Sequence, residues 1–286
     1  MTPFGTRLAA AMDNLGPLCV GIDPHAPLLR AWGLTDDVTG LREFSLRVVD
    51  ALGGQVAAFK PQAAFFERHG SAGMAVLEEV IAAARATGTL TIVDAKRGDI
   101  GSTMGAYAEA FLRDESPLAG DALTVSPYLG FGSLAGAAGL AHAGGRGLFV
   151  LCLTSNPEGK TVQHARLADG TTVAASIAAQ AAQVNASELA ETGGPLGSIG
   201  LVVGATIGDA VRETGTDLEA VRGPFLAPGV GAQGAGAAEL AHVFGAARPG
   251  VLASTSRAVL TAGPDASGLR AAAEAATIEA RHALRN

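Results

Sequence analysis

Residues 91–103 read TIVDAKRGDIGST, an apolar run that breaks into two aspartates and a lysine within six positions, Asp94, Lys96 and Asp99. On an extended backbone Asp94 and Lys96 point to the same side. Asp99 follows Gly98 and belongs to a loop or to the start of a helix. The chain has only three lysines, Lys60, Lys96 and Lys160, against 17 arginines. Arginine thus serves wherever a solvated positive charge is enough, and a surviving lysine marks a place for a compact ammonium that can release a proton. Other polar residues also close apolar runs: Asp23 ends PLCVGID, Lys60 ends VAAFK and Ser155 ends GLFVLCLTS. Gln233 lies in the glycine-rich PGVGAQGAG (228–236), which opens on Pro228, and Arg257 ends STSR (254–257). Glycines let backbone N–H groups approach an anion closely, and a forked guanidinium clamps phosphate. The six histidines are scattered without carboxylates at ligand spacing, so no metal is demanded, although Asp23 and Asp94 could hold one.

These residues need a scaffold that brings strand ends together. Eight short apolar runs recur, at 17–23, 56–60, 90–96, 122–128, 147–155, 199–205, 225–231 and 251–256. Helical patterns lie between them, among others at 41–52, 73–87, 173–191 and 236–247. A further helix opens the chain, with Thr2 as its cap, Pro3 in its first position and Gly16 at its end. Continuously apolar strands alternating with helices imply a parallel sheet covered by helices. Eight units in 286 residues predict an α/β fold, a single-domain (β/α)8 TIM barrel spanning 1–286. An open doubly wound sheet is the alternative, but no G-x-G-x-x-G follows the first strand. The polar stretch 156–172 is too long for an ordinary connection and is expected to be a lid or a surface excursion. In such barrels the active site lies at the C-terminal ends of the strands, and phosphate binds after the seventh and eighth.

Composition narrows the function. The apolar fraction is 48% and the charged fraction 16%, enough for a large core. A net charge of −7 without a basic cluster argues against a nucleic-acid partner. No apolar run reaches the ~18 residues of a membrane span, and no signal-peptide pattern opens the chain. Cys19 and Cys152 lie in apolar runs and are expected to be buried, reduced thiols of a cytoplasmic protein.

At DAKRGDIGST the sequence resembles the orotidine 5′-phosphate decarboxylase family, specifically its longer bacterial type found in mycobacteria and their relatives. The family's D-x-K-x-x-D stands as Asp94, Lys96 and Asp99. GIDP (21–24), FKPQAAFFE (59–67), TSNP (154–157), APGVGAQG (227–234) and STSR (254–257) follow the family pattern in order. The resemblance implies decarboxylation of orotidine 5′-phosphate to uridine 5′-phosphate without a cofactor. It implies that Asp23 and Lys60 contact the ribose, that Lys60 and Asp94 continue a charged chain to Lys96, and that Lys96 donates the proton. It places Asp99 and Thr103 in a neighbouring subunit's site, hence a homodimer with shared active sites. Ser155 would bond the pyrimidine, Gln233 would bridge base and phosphate, Arg257 would bind phosphate, and Pro228 belongs to the substrate loop. Ser256 departs from the pattern, because many relatives have glycine before the arginine. Two other functions fit the same barrel. A sugar-phosphate aldolase or synthase would need a neutral lysine or a metal, and neighbouring carboxylates favour the charged lysine. A non-catalytic phosphate-ligand binding protein would keep its affinity without Lys96.

Overall fold

The computed structural model describes residues 1–231 and 234–284. Eight parallel strands close into a barrel in sequence order. They are β1 (Leu18–Ile22), β2 (Ala58–Pro61), β3 (Leu90–Arg97), β4 (Ala122–Val125), β5 (Gly147–Leu153), β6 (Ile199–Val203), β7 (Phe225–Pro228) and β8 (Val251–Thr255). Closure is made by β8 pairing with β1, Leu18 opposite Ala253 and Val20 opposite Thr255. The TIM-barrel expectation therefore holds and the open sheet is excluded. Several runs overshoot the strands they contain: residues 126–128 and 229–231 are apolar enough to read as strand but form loops at the rim.

Below the C-terminal rim both faces of each strand are buried, as a parallel sheet under helices requires. Every strand sends at least one residue into the inner cluster, among them Cys19, Ala58, Ile92, Ala122, Phe149, Val202, Leu226 and Leu252. The outer faces, with Val20, Phe59, Val93, Leu123, Val150 and Leu201, pack against the helices. The first helix, Phe4–Leu15, seals the N-terminal end by adding Phe4, Leu8 and Met12 to the inner cluster. The ring of Phe4 meets Phe149 edge-on at 5.9 Å. That contact requires glycine at 147, where a Cβ would sit 2.2 Å from Phe4 Cδ1. Burying side chains of this size contributes roughly 1.5–3 kcal/mol each. Pro3 is the N-cap of this helix rather than its first residue, so Thr2 does not cap it.

The helices extend the predicted spans. Val38–Leu52 starts where Asp37 accepts from Gly40 N–H at 3.0 Å, Gly70–Ala86 follows β2, and Val173–Thr192 is capped by the Thr172 hydroxyl on Ala175 N–H. Ala237–Phe244 is shorter than its predicted span because the chain passes at Gly245 into a tighter 3-10 turn containing Pro249. The 156–172 stretch is a surface excursion with a 3-10 turn, the short helix Lys160–Gln163 and an antiparallel bridge between Arg166 and Thr172. Gln163 ties it to the barrel, accepting from Thr154 N–H at 3.0 Å and donating to the Thr154 hydroxyl at 2.7 Å.

Candidate active site

The third strand does not run straight to its end. Val93 pairs with Leu123 and Arg97 pairs with Val125, so four steps along β3 match two along β4. The surplus forms a bulge, a device that re-aims side chains beside functional sites. Within it Lys96 has φ +46°, the left-handed region that a residue with a Cβ avoids. Such a conformation costs about 1 kcal/mol or more and persists only where its surroundings hold it. Thr124 of β4 supplies the hold, because its Oγ1 accepts from Lys96 N–H at 2.9 Å. Asp94 and Lys96 do share a side, but through this bulge rather than through regular alternation.

A charged chain crosses the rim from β1 to β3. Asp23 Oδ1 lies 4.0 Å from Lys60 Nζ, Lys60 Nζ donates to Asp94 Oδ2 at 2.9 Å, and Lys96 Nζ donates to Asp94 Oδ1 at 2.6 Å. Asp94 thus lies between two ammonium groups. Thr124 Oγ1 donates to the same Oδ1 at 2.8 Å. Gln62 Oε1 is 3.5 Å from Lys60 Nζ. Lys60 and Asp94 are buried, whereas the Lys96 side chain is 45% exposed and open to the barrel mouth. Burial works against the charge on Asp94, but Lys60 and Lys96 outweigh it and hold its carboxyl below the usual carboxylate range. Burial likewise disfavours the Lys60 ammonium, yet Asp94 and Asp23 overcome this and raise its pKa. Beneath this chain, burial pushes the Cys19 thiol up to about 12, so it stays neutral. Both cysteines are buried free thiols.

Asp23 has a second contact. Ser256 Oγ donates to Asp23 Oδ2 at 2.5 Å, while Asp23 Oδ1 is buried without a hydrogen-bond partner.

The other predicted residues make no bond to this charged chain among the described residues. Asp99 precedes the helix Gly101–Leu112 and accepts from Ile100 N–H at 2.8 Å, and Thr103 is exposed on that helix. Ser155 follows β5, Pro228 ends β7 and Arg257 follows β8, all three exposed at the rim. Gln233 lies outside the described residues. Sequence reasoning did not single out Thr124 and Gln62, and it noted Ser256 only as a departure. The signal for Thr124 was a lone hydroxyl in the apolar run ALTV, which alternation within a single strand cannot assign to a partner. Among the described residues, no three His, Cys, Asp or Glu side chains converge as a metal site. No helix among them is long and apolar enough to cross a membrane.

The chain has close counterparts among known proteins. The model of the orotidine 5′-phosphate decarboxylase / HUMPS family matches residues 16–272. The chain is 58% identical over 284 residues to the orotidine 5′-phosphate decarboxylase of Streptomyces coelicolor, covering 99% of each. It is equally 58% identical to that of Salinispora arenicola, again over 99% of both chains. Among solved structures, a Streptomyces avermitilis protein provisionally assigned the same activity superposes with a TM-score of 0.93 at 60% identity, over 99% of this chain and 96% of that one. The OMP decarboxylase of Leishmania donovani superposes with a TM-score of 0.74 at 30% identity, over 99% of each chain.

Proposed function

The chain belongs to the orotidine 5′-phosphate decarboxylase / HUMPS family, and from that premise we propose that its rim converts orotidine 5′-phosphate to uridine 5′-phosphate with Lys96 as the proton donor. The observation that carries this reading is Asp94 held between Lys60 and Lys96, at 2.9 and 2.6 Å, at the mouth of the barrel. The reaction breaks the bond between carbon 6 of the pyrimidine and its carboxylate. CO2 leaves and the electron pair stays on carbon 6. An ammonium beside that carbon stabilises the developing charge and then delivers a proton to it. Lys96 is left as an amine and regains its proton from solvent. Asp94 keeps the two ammonium groups in place. The barrier reduction required is on the order of 20 kcal/mol, near the top of the enzyme range.

The remaining groups bind and orient. Asp23 and Lys60 take the ribose, Ser155 the pyrimidine, and Arg257 the phosphate. Pro228, at the end of β7, and Gln233 contact the substrate, with Gln233 between base and phosphate. Phosphate binding far from carbon 6 contributes by closing the site and excluding water. Asp99 and Thr103 serve a neighbouring subunit's site in a homodimer. Supporting this, Ile100 is 62%, Tyr128 77% and Leu129 52% exposed. These are large apolar side chains on adjacent rim loops, beside Asp99. The direct test is loss of ultraviolet absorbance on adding orotidine 5′-phosphate in the presence of a chelator. Turnover that survives chelation and disappears in Lys96→Ala supports the reading. Absence of turnover by the wild-type protein refutes it.

A further inference from the structure

The β1–β8 seam carries a contact that joins the sugar side of the site to the phosphate side. Ser256 stands immediately before Arg257, at the position where the resemblance leads one to expect glycine. Its hydroxyl turns inward and donates to Asp23 Oδ2 at 2.5 Å. The seam is built around that hydroxyl. A Cβ on Gly21 would lie 2.2 Å from Ser256 Oγ and 3.1 Å from Asp23 Oδ2, so any larger residue at 21 would displace the contact. With Oδ2 occupied, Asp23 has Oδ1 left, buried and without a hydrogen-bond partner, and Lys60 Nζ stands 4.0 Å from it. A buried carboxylate oxygen lacking a donor is costly, and a donor brought by a ligand would relieve that cost.

We infer that Ser256 is a positioning residue: it holds Asp23 by one oxygen so that the other accepts a sugar hydroxyl, and so sets the selectivity for a ribose over a deoxy sugar. This rests on the proposed nucleotide reading. The Ser256 hydroxyl does not donate to phosphate here, because its proton is committed to Asp23. The same contact links the sugar acceptor to the backbone that carries Arg257.

The test uses the whole protein and four probes: uridine 5′-phosphate, its 2′-deoxy and 3′-deoxy analogues, and uridine. In wild type, one deoxy analogue should bind markedly more weakly than uridine 5′-phosphate. Ser256→Ala should weaken uridine 5′-phosphate about tenfold, the scale of one hydrogen bond to a charged group. It should also reduce that preference while leaving the ratio of uridine 5′-phosphate to uridine unchanged. Gly21→Ala should reproduce the effect by displacing the hydroxyl. In a Ser256→Gly background, which clears the space, Gly21→Ala should add less than about twofold, the non-additivity of residues acting through one contact. Thermal melts establish folding, and if Gly21→Ala does not fold, Ser256→Ala decides alone. An unchanged preference between ribose and deoxy sugar in Ser256→Ala overturns the inference. So does a loss confined to the phosphate ratio, which would make Ser256 a phosphate ligand. A wild-type protein that binds no uridine 5′-phosphate instead overturns the underlying functional reading.

Discussion

At the scale of single residues, the site combines a strained backbone with a buried charge pattern, and each feature can be tested separately. Lys96→Ala should leave the protein folded, since the side chain is half exposed, and should abolish decarboxylation if, as proposed, it supplies both charge and proton. Lys96→Arg should not restore turnover, because a guanidinium is a poor proton donor of different shape. Near-normal turnover by Lys96→Arg would exclude proton donation by this residue. Thr124→Val keeps the volume but removes the hydroxyl that donates to Asp94 and accepts from Lys96 N–H. It should lower stability by about 1–2 kcal/mol in urea unfolding and reduce kcat, because the left-handed turn at Lys96 then loses the hydrogen bond that Thr124 accepts from its N–H. The charges also set a pH window. The Asp94 pKa is lowered in the fold, so the stability it contributes is present above the ordinary carboxylate pKa, about 4, and is lost as pH falls through its still lower folded value. The Lys60 pKa is raised, so its contribution is complete below the ordinary lysine pKa, about 10.4, and is lost as pH rises through the higher folded value. The stability difference between wild type and Asp94→Asn should therefore be flat between about pH 5 and 9 and shrink below about pH 4. A difference that stays constant down to about pH 2 would show that Asp94 is not held by these lysines.

At the scale of elements, the barrel ends do different work. The N-terminal end is closed by apolar packing of the first helix on the strand interior, so its residues answer for stability. Gly147→Ala places a methyl 2.2 Å from Phe4 Cδ1. It should destabilise the protein by about 1–3 kcal/mol, the usual cost of overpacking, with KM unchanged. Equal stability with a shifted KM would contradict this division of labour. At the C-terminal end, the loops after β7 and β8 are assigned to phosphate. Arg257→Ala should raise KM strongly and also lower kcat, as expected if phosphate binding drives closure rather than only retention. An unchanged KM in a folded variant would remove Arg257 from the phosphate site.

At the scale of the whole molecule, the question is whether one chain completes its own site. Asp99 bonds only to its own backbone neighbour, Ile100, among the described residues, and no contact ties it to Lys96. If it serves a partner, Asp99→Ala and Lys96→Ala should each be nearly inactive as homodimers. Equal amounts mixed under subunit exchange should recover activity, because each heterodimer has one site lacking both residues and one intact site. Random reassortment makes half the dimers mixed, each with one of two sites intact, so recovery should approach about one quarter of wild type. No recovery after demonstrated exchange would assign Asp99 to its own subunit's site or remove it from catalysis.

The sequence alone determined the barrel, because eight apolar runs alternating with helical patterns leave few other ways to bury both faces of a parallel sheet. It also located the polar residues at strand ends, since that is where an apolar run must stop. It could not supply the bulge in β3. Alternation placed Asp94 and Lys96 on one side for a reason that does not apply, as Lys96 is left-handed and its direction is set by Thr124 across the sheet. Nor could it pair Ser256 with Asp23, which are 233 residues apart and meet only because β8 closes against β1. Contacts within a strand follow from local periodicity, but contacts across the closed barrel depend on register, which tertiary packing alone decides.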